Sequence, residues 1–457
     1  MLRSRLEHLI TNSRGSTRRY VRELQSGQWL DPSASRADTD RRLSALLQHA
    51  AQHVPYYRET LTQGGVCESP GRVLAGRFAH VPLLDKTTVR ARFDDLTSDD
   101  LSTRTWHYDS TGGSTGEPVR LVHDRDYADW GRALFIVGNG IACRRPDERK
   151  LYLWGSVADL TGQETLRARL GMWMRNEVWL NSFRMTPDLM RSYVELINRY
   201  RPDHVIGYVE SVMELARFIE RNDLAVHSPK TVATAAGSLQ AHVRELIGRV
   251  FRAEVFDQYG SREVSGMATE CERHEGMHVP LQSVLVEVLR DDGTAAEPGE
   301  TGRIVVTSLV NYAMPLIRYE IGDLGVWAEG PCSCGRVWPL LRSVTGRISD
   351  TFVTADGTLV AGEYFNYVFY LQDWVEKFQV VQESTCQVRA CIVRRRDVPV
   401  ADGAEAASLQ EIVQKVRLAL GDDCNVAFEF VDDIEPSASG KYRFTVSKVH
   451  ERDQART

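Results

Sequence analysis

"DHVIGYVESVMELARFIERN" (residues 203–222) decides the fold. Its first six residues form a short apolar run of strand length. The rest places apolar side chains three and four residues apart, the spacing of an amphipathic helix. A buried strand that passes straight into a helix is the building unit of an α/β sheet. Working outward, "KLYLWG" (150–155) and "TVATAAG" (231–237) read as two more buried strands, and "PDLMRSYVELINRYR" (187–201) as another amphipathic helix. Residues 120–260 are therefore expected to alternate strand and helix.

Either side of this block the pattern changes. Residues 1–62 read mostly as helix, for example "DTDRRLSALLQHAAQHVPYYRETL" (38–61). From 279 to 328 the chain reads as strands and turns. A final segment of about a hundred residues mixes strands with the helical stretch "ASLQEIVQKVRLALG" (407–421). The expectation is an α/β protein with mixed sheets, flanking helices and a β subdomain in a large domain, 1–345. A hinge at 346–350 and a small, mobile α+β domain, 351–457, follow.

Composition narrows the function. The 457 residues carry a net charge of −6 and are 42% hydrophobic. A large core is affordable, and nothing suggests nucleic-acid binding by bulk charge. No apolar run approaches the roughly 20 residues of a membrane span, and the N-terminus lacks the apolar core of a secretory signal. A soluble, cytoplasmic chain that avoids membranes is expected. Arginine outnumbers lysine 49 to 7, so each lysine invites a question about reactivity.

Five stretches carry chemistry. "YDSTGGSTGEP" (108–118) packs three glycines and the hydroxyls of Ser110, Thr111, Ser114 and Thr115 into eleven residues. It is neither a Walker loop, because Glu117 and Pro118 follow Gly116, nor a dinucleotide fingerprint, because Gly112 and Gly113 are adjacent. By itself it is either a phosphate loop of another kind or a flexible turn. The others are "VFDQYGSREVSG" (255–266), "PLIRYEIGDLG" (315–325), "TGRISD" (345–350) and "PSASGKYRFTVSK" (436–448).

In this order and at these separations, the five stretches resemble the adenylate-forming superfamily of acyl-CoA synthetases, peptide-synthetase adenylation domains and luciferases. "HVPYYRE" (53–59), "PLLDK" (82–86) and "YGSRE" (259–263) resemble its phenylacetate–CoA ligase branch, with the capsule-biosynthesis (CapK) and coenzyme F390 synthetase-like relatives. The likeness runs over essentially the whole chain. It implies ATP-dependent activation of a carboxylic acid as an acyl-adenylate, with release of pyrophosphate, then transfer to the thiol of coenzyme A.

Site residues follow from the same resemblance. Ser110, Thr111, Gly112, Gly113, Ser114, Thr115 and Gly116 would hold the ATP phosphates. Glu263 would bind Mg²⁺ and Asp323 the ribose. Gly237, Ser238, Tyr259 and Gly260 would line the adenine and acyl side, with Tyr208 and Glu210 near the acyl pocket. Arg347 would add charge. Lys441, on the mobile domain, would bridge carboxylate and α-phosphate during adenylation. The sequence departs from the pattern at Glu117, where relatives commonly carry lysine, at Arg262 in place of a threonine, and at Ser349 in the hinge. Arg262 could supply the charge missing at Glu117.

The cysteines suggest a second site. "CERH" (271–274) and "CSCG" (332–335) offer Cys271, His274, Cys332 and Cys334 as a closed tetrahedral set for structural Zn²⁺, with His278 as the alternative fourth ligand. Cys67, Cys143, Cys386, Cys391 and Cys424 read as incidental. "LGMWMRNEVWLNSF" (170–183) reads as core rather than pocket lining. The acid is expected to be aryl or small, and the protein a homodimer. An amine, carrier-protein thiol or hydroxyl acceptor is the alternative to coenzyme A, and a non-catalytic nucleotide-binding scaffold is the alternative to an enzyme.

Overall fold

The computed structural model describes residues 15–69, 72–110, 119–145, 147–154, 166–182, 185, 187–347, 351–356, 359–361, 365, 368–369, 372–395, 404–435 and 444–449. The chain divides into two compact units after Val344.

In the larger unit, β1 (Cys67–Ser69) pairs with β2 (Arg72–Val73), and β3 (Trp106–Ser110) pairs antiparallel with β4 (Arg120–Asp124). The remaining strands form one sheet. They are β5 (Lys150–Trp154), β6 (Glu177–Asn181), β7 (His204–Tyr208), β8 (Thr231–Ala235), β9 (Glu254–Ser261), β10 (Ser265–Glu270), β11 (Met277–His278), β12 (Val284–Leu289), β13 (Thr301–Ser308), β14 (Tyr319–Trp327) and β15 (Leu340–Arg347). The eleven strands lie in the order β12-β13-β14-β15-β11-β10-β9-β8-β7-β5-β6.

Chemistry of the sequence explains the two halves of this sheet. Strands β5 to β9 pair in parallel and are joined through the helices Pro187–Tyr200, Val209–Arg221 and Ala241–Phe251. Helices on the faces leave parallel strands buried on both sides, hence the near-continuous apolar runs at Leu151–Leu153, Val205–Ile206 and Val232–Ala233. At Ser261 the chain turns back as a hairpin, and from β10 onward the pairings are antiparallel. Arg318 enters β14 with φ +50°. Its buried guanidinium bonds both oxygens of Glu287 at 3.1 Å and the carbonyls of Ala79 and Val81 at 2.7 and 2.8 Å. These donors fix the entry of the strand that carries Asp323.

The smaller unit pairs β16 (Thr351–Val353) with β17 (Leu359–Ala361). It also holds a four-stranded sheet in the order β20 (Asn425–Phe430), β19 (Gln387–Arg394), β18 (Val375–Ser384), β21 (Thr445–Ser447). The helix Ala404–Leu420 covers it, with Ile412 and Val416 meeting Phe378, Val380 and Phe369 in the core.

One expectation about packing is corrected. Leu170 and Trp173, on the helix Leu166–Met174, are 56% and 54% exposed, so that end of the stretch is not core. Among the described residues of that stretch Leu180, on β6, is the one that is buried, and Trp179 stacks on Tyr152 with ring centroids 4.2 Å apart. No helix among the described residues is long and apolar enough to cross a membrane.

Candidate active site

In an open α/β sheet, ligands bind beyond the carboxyl ends of the parallel strands. That edge gathers Tyr208 from β7, the segment after Ala235 from β8, and Tyr259 to Ser261 from β9. Tyr208 packs on Trp154, with centroids 4.4 Å apart. The Glu210 carboxylate lies against Gly237 so closely that a Cβ there would meet Oε1 at 2.5 Å. A side chain at 237 would have to push that carboxylate aside. Ser238 Oγ donates to the Val344 carbonyl at 3.3 Å.

The β9–β10 hairpin presents Arg262 and Glu263 at its turn, after Ser261 and Gly260, and a Cβ on Gly260 would stand 2.7 Å from the Ser265 carbonyl oxygen. Glu263 is buried. Among the described residues its carboxylate takes one hydrogen bond, from the Tyr319 hydroxyl at 3.2 Å, and Tyr127 donates to its backbone carbonyl at 3.4 Å. Burial, reinforced by the Glu263 charge, pushes both phenols up, so they remain protonated donors. Among the described residues the carboxylate keeps lone pairs open, as a hard-cation ligand must. The Tyr259 hydroxyl donates to Asp323 Oδ2 at 2.7 Å.

Charge at the start of the Gly-rich stretch is also organised. Asp109, at the end of β3, stands 3.5 Å from Arg262 Nη1 through Oδ1 and 3.5 Å from His123 Nδ1 through Oδ2. The Ser110 N–H donates to Asp109 Oδ1 at 2.8 Å. Thr111, Gly112, Gly113, Ser114, Thr115 and Gly116 lie outside the described residues, as do Lys441 and the side chain of Arg347.

Sequence inspection missed Asp257, His123, Asp109 and Lys86 as site neighbours. A Cβ on Gly322 would lie 3.8 Å from Lys86 Nζ, which puts that ammonium beside Asp323's turn. Asp257 is half-buried on β9, beside β8. It accepts the Gln258 N–H at 2.9 Å and the Thr234 hydroxyl at 3.4 Å. Burial, then the nearby Glu270 charge, pushes its carboxyl up to about 7. Glu270 in turn takes two bonds from Arg244 Nη2, at 2.9 and 3.1 Å. A polar residue on a buried strand was the only signal available for Asp257.

The thiols of Cys271, Cys332 and Cys334 do come together, but with His278 rather than His274. All four ligand atoms lie within 4.8 Å of one another. Cys271 and Cys332 sulfurs are 3.7 Å apart, and Cys334 Sγ is 3.4 Å from His278 Nε2. His274 is a correction. It sits in the turn after β10 with φ +54°, packs on Phe256, and points Nδ1 at Glu270 Oε1, 3.3 Å away. Burial drives His278 down to about 4, which keeps the imidazole neutral and able to donate its lone pair. Three sulfurs and a neutral imidazole make a borderline-soft donor set that fits tetrahedral Zn²⁺.

Residues 352–448 match the CapK C-terminal domain family. The chain is 22% identical to Protein CapK of Staphylococcus aureus over 281 residues, 60% of this chain and 59% of that protein. The alignment thus spans less than two thirds of CapK's length. It is 23% identical to phenylacetate-coenzyme A ligase of Thermus thermophilus over 359 residues, 76% of this chain and 78% of the relative. Among solved structures, 2-hydroxyisobutyryl-CoA ligase in its postadenylation state, in complex with R3-HIB-AMP, superposes with a TM-score of 0.71 at 20% identity, covering 94% of this chain and 93% of that one.

Proposed function

We propose that the chain is an adenylate-forming ligase, a reading supported by its similarity to CapK and phenylacetate–CoA ligase, and that it activates an aryl or small carboxylic acid with ATP and passes the acyl group to coenzyme A. The observation that carries this reading is the convergence of Glu263, Asp323 and Tyr259 with the Glu210–Gly237 wall at the carboxyl edge of the parallel strands.

The chemistry demands what these residues offer. A carboxylate must reach the α-phosphorus of a polyanion, so charge has to be neutralised by groups already in place. Asp323, oriented by Tyr259, would take the ribose hydroxyls through charge-assisted bonds. Glu263 would hold Mg²⁺ against the phosphates, and the ion would offset their charge. Arg262 would add a fixed cation, and Lys441 would accompany the incoming carboxylate. The acid would lie against Tyr208 and Glu210. Oxygen of the acid bonds to the α-phosphorus, pyrophosphate leaves, and the acyl carbon is then attacked by the thiol, releasing AMP.

The test is acid-dependent ATP–pyrophosphate exchange over a panel of aryl, amino and short-chain acids, without coenzyme A. Exchange with at least one acid is expected, followed by thioester formation when coenzyme A is added. ATP binding without exchange for any acid would overturn adenylation, and exchange without thioester would move the acceptor to an amine, carrier thiol or hydroxyl.

We further read Cys271, His278, Cys332 and Cys334 as a structural Zn²⁺ site. A closed shell leaves no position for substrate, so its contribution would be to join the turn after β10 to the loop before β15.

A further inference from the structure

The sequence lacks a cation in the Gly-rich stretch, where Glu117 stands, and carries an arginine in the hairpin turn next to Glu263. The structure ties the start of that stretch, at Asp109, to the hairpin turn. Arg262 Nη1 faces Asp109 Oδ1 and His123 Nδ1 faces Asp109 Oδ2, each at 3.5 Å. The His123 ring stacks on Tyr127, centroids 4.3 Å apart, and the Tyr127 hydroxyl bonds the Glu263 carbonyl at 3.4 Å. The path Arg262–Asp109–His123–Tyr127–Glu263 therefore closes on itself, beginning and ending at neighbouring residues of one turn.

Such a ring has a mechanical consequence. A surface arginine loses a good deal of side-chain entropy when it is held, and a single long ion pair holds it poorly. Here the partner is itself fixed. Asp109 is only 30% exposed at its side chain and accepts the Ser110 N–H at 2.8 Å. His123 is buried, with its Nε2 making no bond among the described residues, so Asp109 is the polar anchor of that ring. Burial would raise the Asp109 carboxyl, but His123, the Ser110 N–H and Arg262 outweigh it and hold it below the usual range. It is anionic at neutral pH, as a guanidinium anchor must be.

We propose that Asp109, backed by His123, is a positioning residue that aims the Arg262 guanidinium at the nucleotide phosphates, so that Arg262 supplies the charge missing at Glu117. This rests on the adenylation reading above. Asp109 touches no substrate in it and acts through Arg262.

A double-mutant cycle tests the coupling, read as kcat/KM for ATP in the exchange assay, with thermal unfolding to confirm folding. Arg262→Ala is expected to lose about a hundredfold, the scale of removing one preorganised donor. The near-isosteric Asp109→Asn should lose about tenfold, the scale of an orienting partner, and Asp109→Glu should recover part of it. The decisive outcome is the double variant Asp109→Asn/Arg262→Ala, which should fall no lower than Arg262→Ala alone. Multiplied losses, or a fully active Asp109→Asn protein, overturn the proposal. If the unmodified chain exchanges with no acid, the same cycle is read as ATP affinity by calorimetry in the presence of Mg²⁺. Non-additive losses then uphold the positioning role while adenylation falls, and additive ones overturn both.

Discussion

The Tyr259 hydroxyl donates a 2.7 Å hydrogen bond to Asp323 Oδ2, although three strands, β15, β11 and β10, separate β9 from β14 in the sheet. The bond holds the carboxylate at one angle across the edge where nucleotide is proposed to bind. A hydrogen bond to a charged group is worth about 1.5–3 kcal/mol.

Removing only that donor should be felt in nucleotide binding. Tyr259→Phe is expected to weaken ATP binding about tenfold, in line with the lower end of that range, while Asp323→Ala should weaken it further. Calorimetric titration with ATP checks both, and unchanged affinity in Tyr259→Phe would remove Tyr259 from the site.

Crowding at Gly237 makes a second case. A methyl there would stand 2.5 Å from Glu210 Oε1, so Gly237→Ala must displace the carboxylate. The single variant should lower exchange activity, and Glu210→Ala in the same chain should restore its folding stability, measured as Tm. A Gly237→Ala protein with normal Tm and activity would show that Glu210 moves aside freely.

For the sulfur cluster, the prediction separates two histidines. The purified chain should carry about one zinc per molecule, as a four-ligand site binds it. His278→Ala and Cys271→Ser should lose the metal and several degrees of Tm, whereas His274→Ala should retain it. Metal analysis of the three variants decides. Zinc lost from His274→Ala but kept by His278→Ala would reverse the assignment.

Asp257 predicts a pH dependence with a definite sign. Its carboxyl titrates near 3.8 in the unfolded chain and is pushed up to about 7 in the fold, by burial and then by Glu270. Between those values the folded state binds the extra proton, so this group costs stability as pH rises from about 4 to 7 and the penalty is complete above that. Asp257→Asn should therefore raise Tm relative to the parent chain by an amount that grows across this window and then levels off. A pH-independent difference would contradict the raised value.

The strand–helix alternation was legible in the sequence because burial on both faces writes itself as continuous apolar runs. Strands β5, β7 and β8 begin and end within two residues of the stretches 150–155, 203–208 and 231–237. Cys332 and Cys334, of the proposed zinc set, were legible for a similar reason, since close spacing survives folding. His274 was misleading for the converse reason. It is nearer in sequence, but the turn after β10 swings it back onto Phe256, while antiparallel pairing of β11 with β15 sets His278 opposite Leu340, close to the loop 332–335. The Asp109–Arg262 contact could not be read at all. Its partners are separated by more than a hundred residues, and neither stands in a motif that names the other. Leu170 and Trp173 misled because an apolar composition does not say which side of a short helix meets the protein.

Chain synthesis gives the sulfur cluster a timing. Cys271 and His278 leave the ribosome well before Cys332 and Cys334, with β12, β13 and β14 made in between. Only after those antiparallel strands exist can the four donors meet. Closure of the cluster thus has to wait until β12, β13 and β14 are made, with β15 of the larger unit still to come, and a nascent chain halted before residue 332 would hold half a site with nothing to close it.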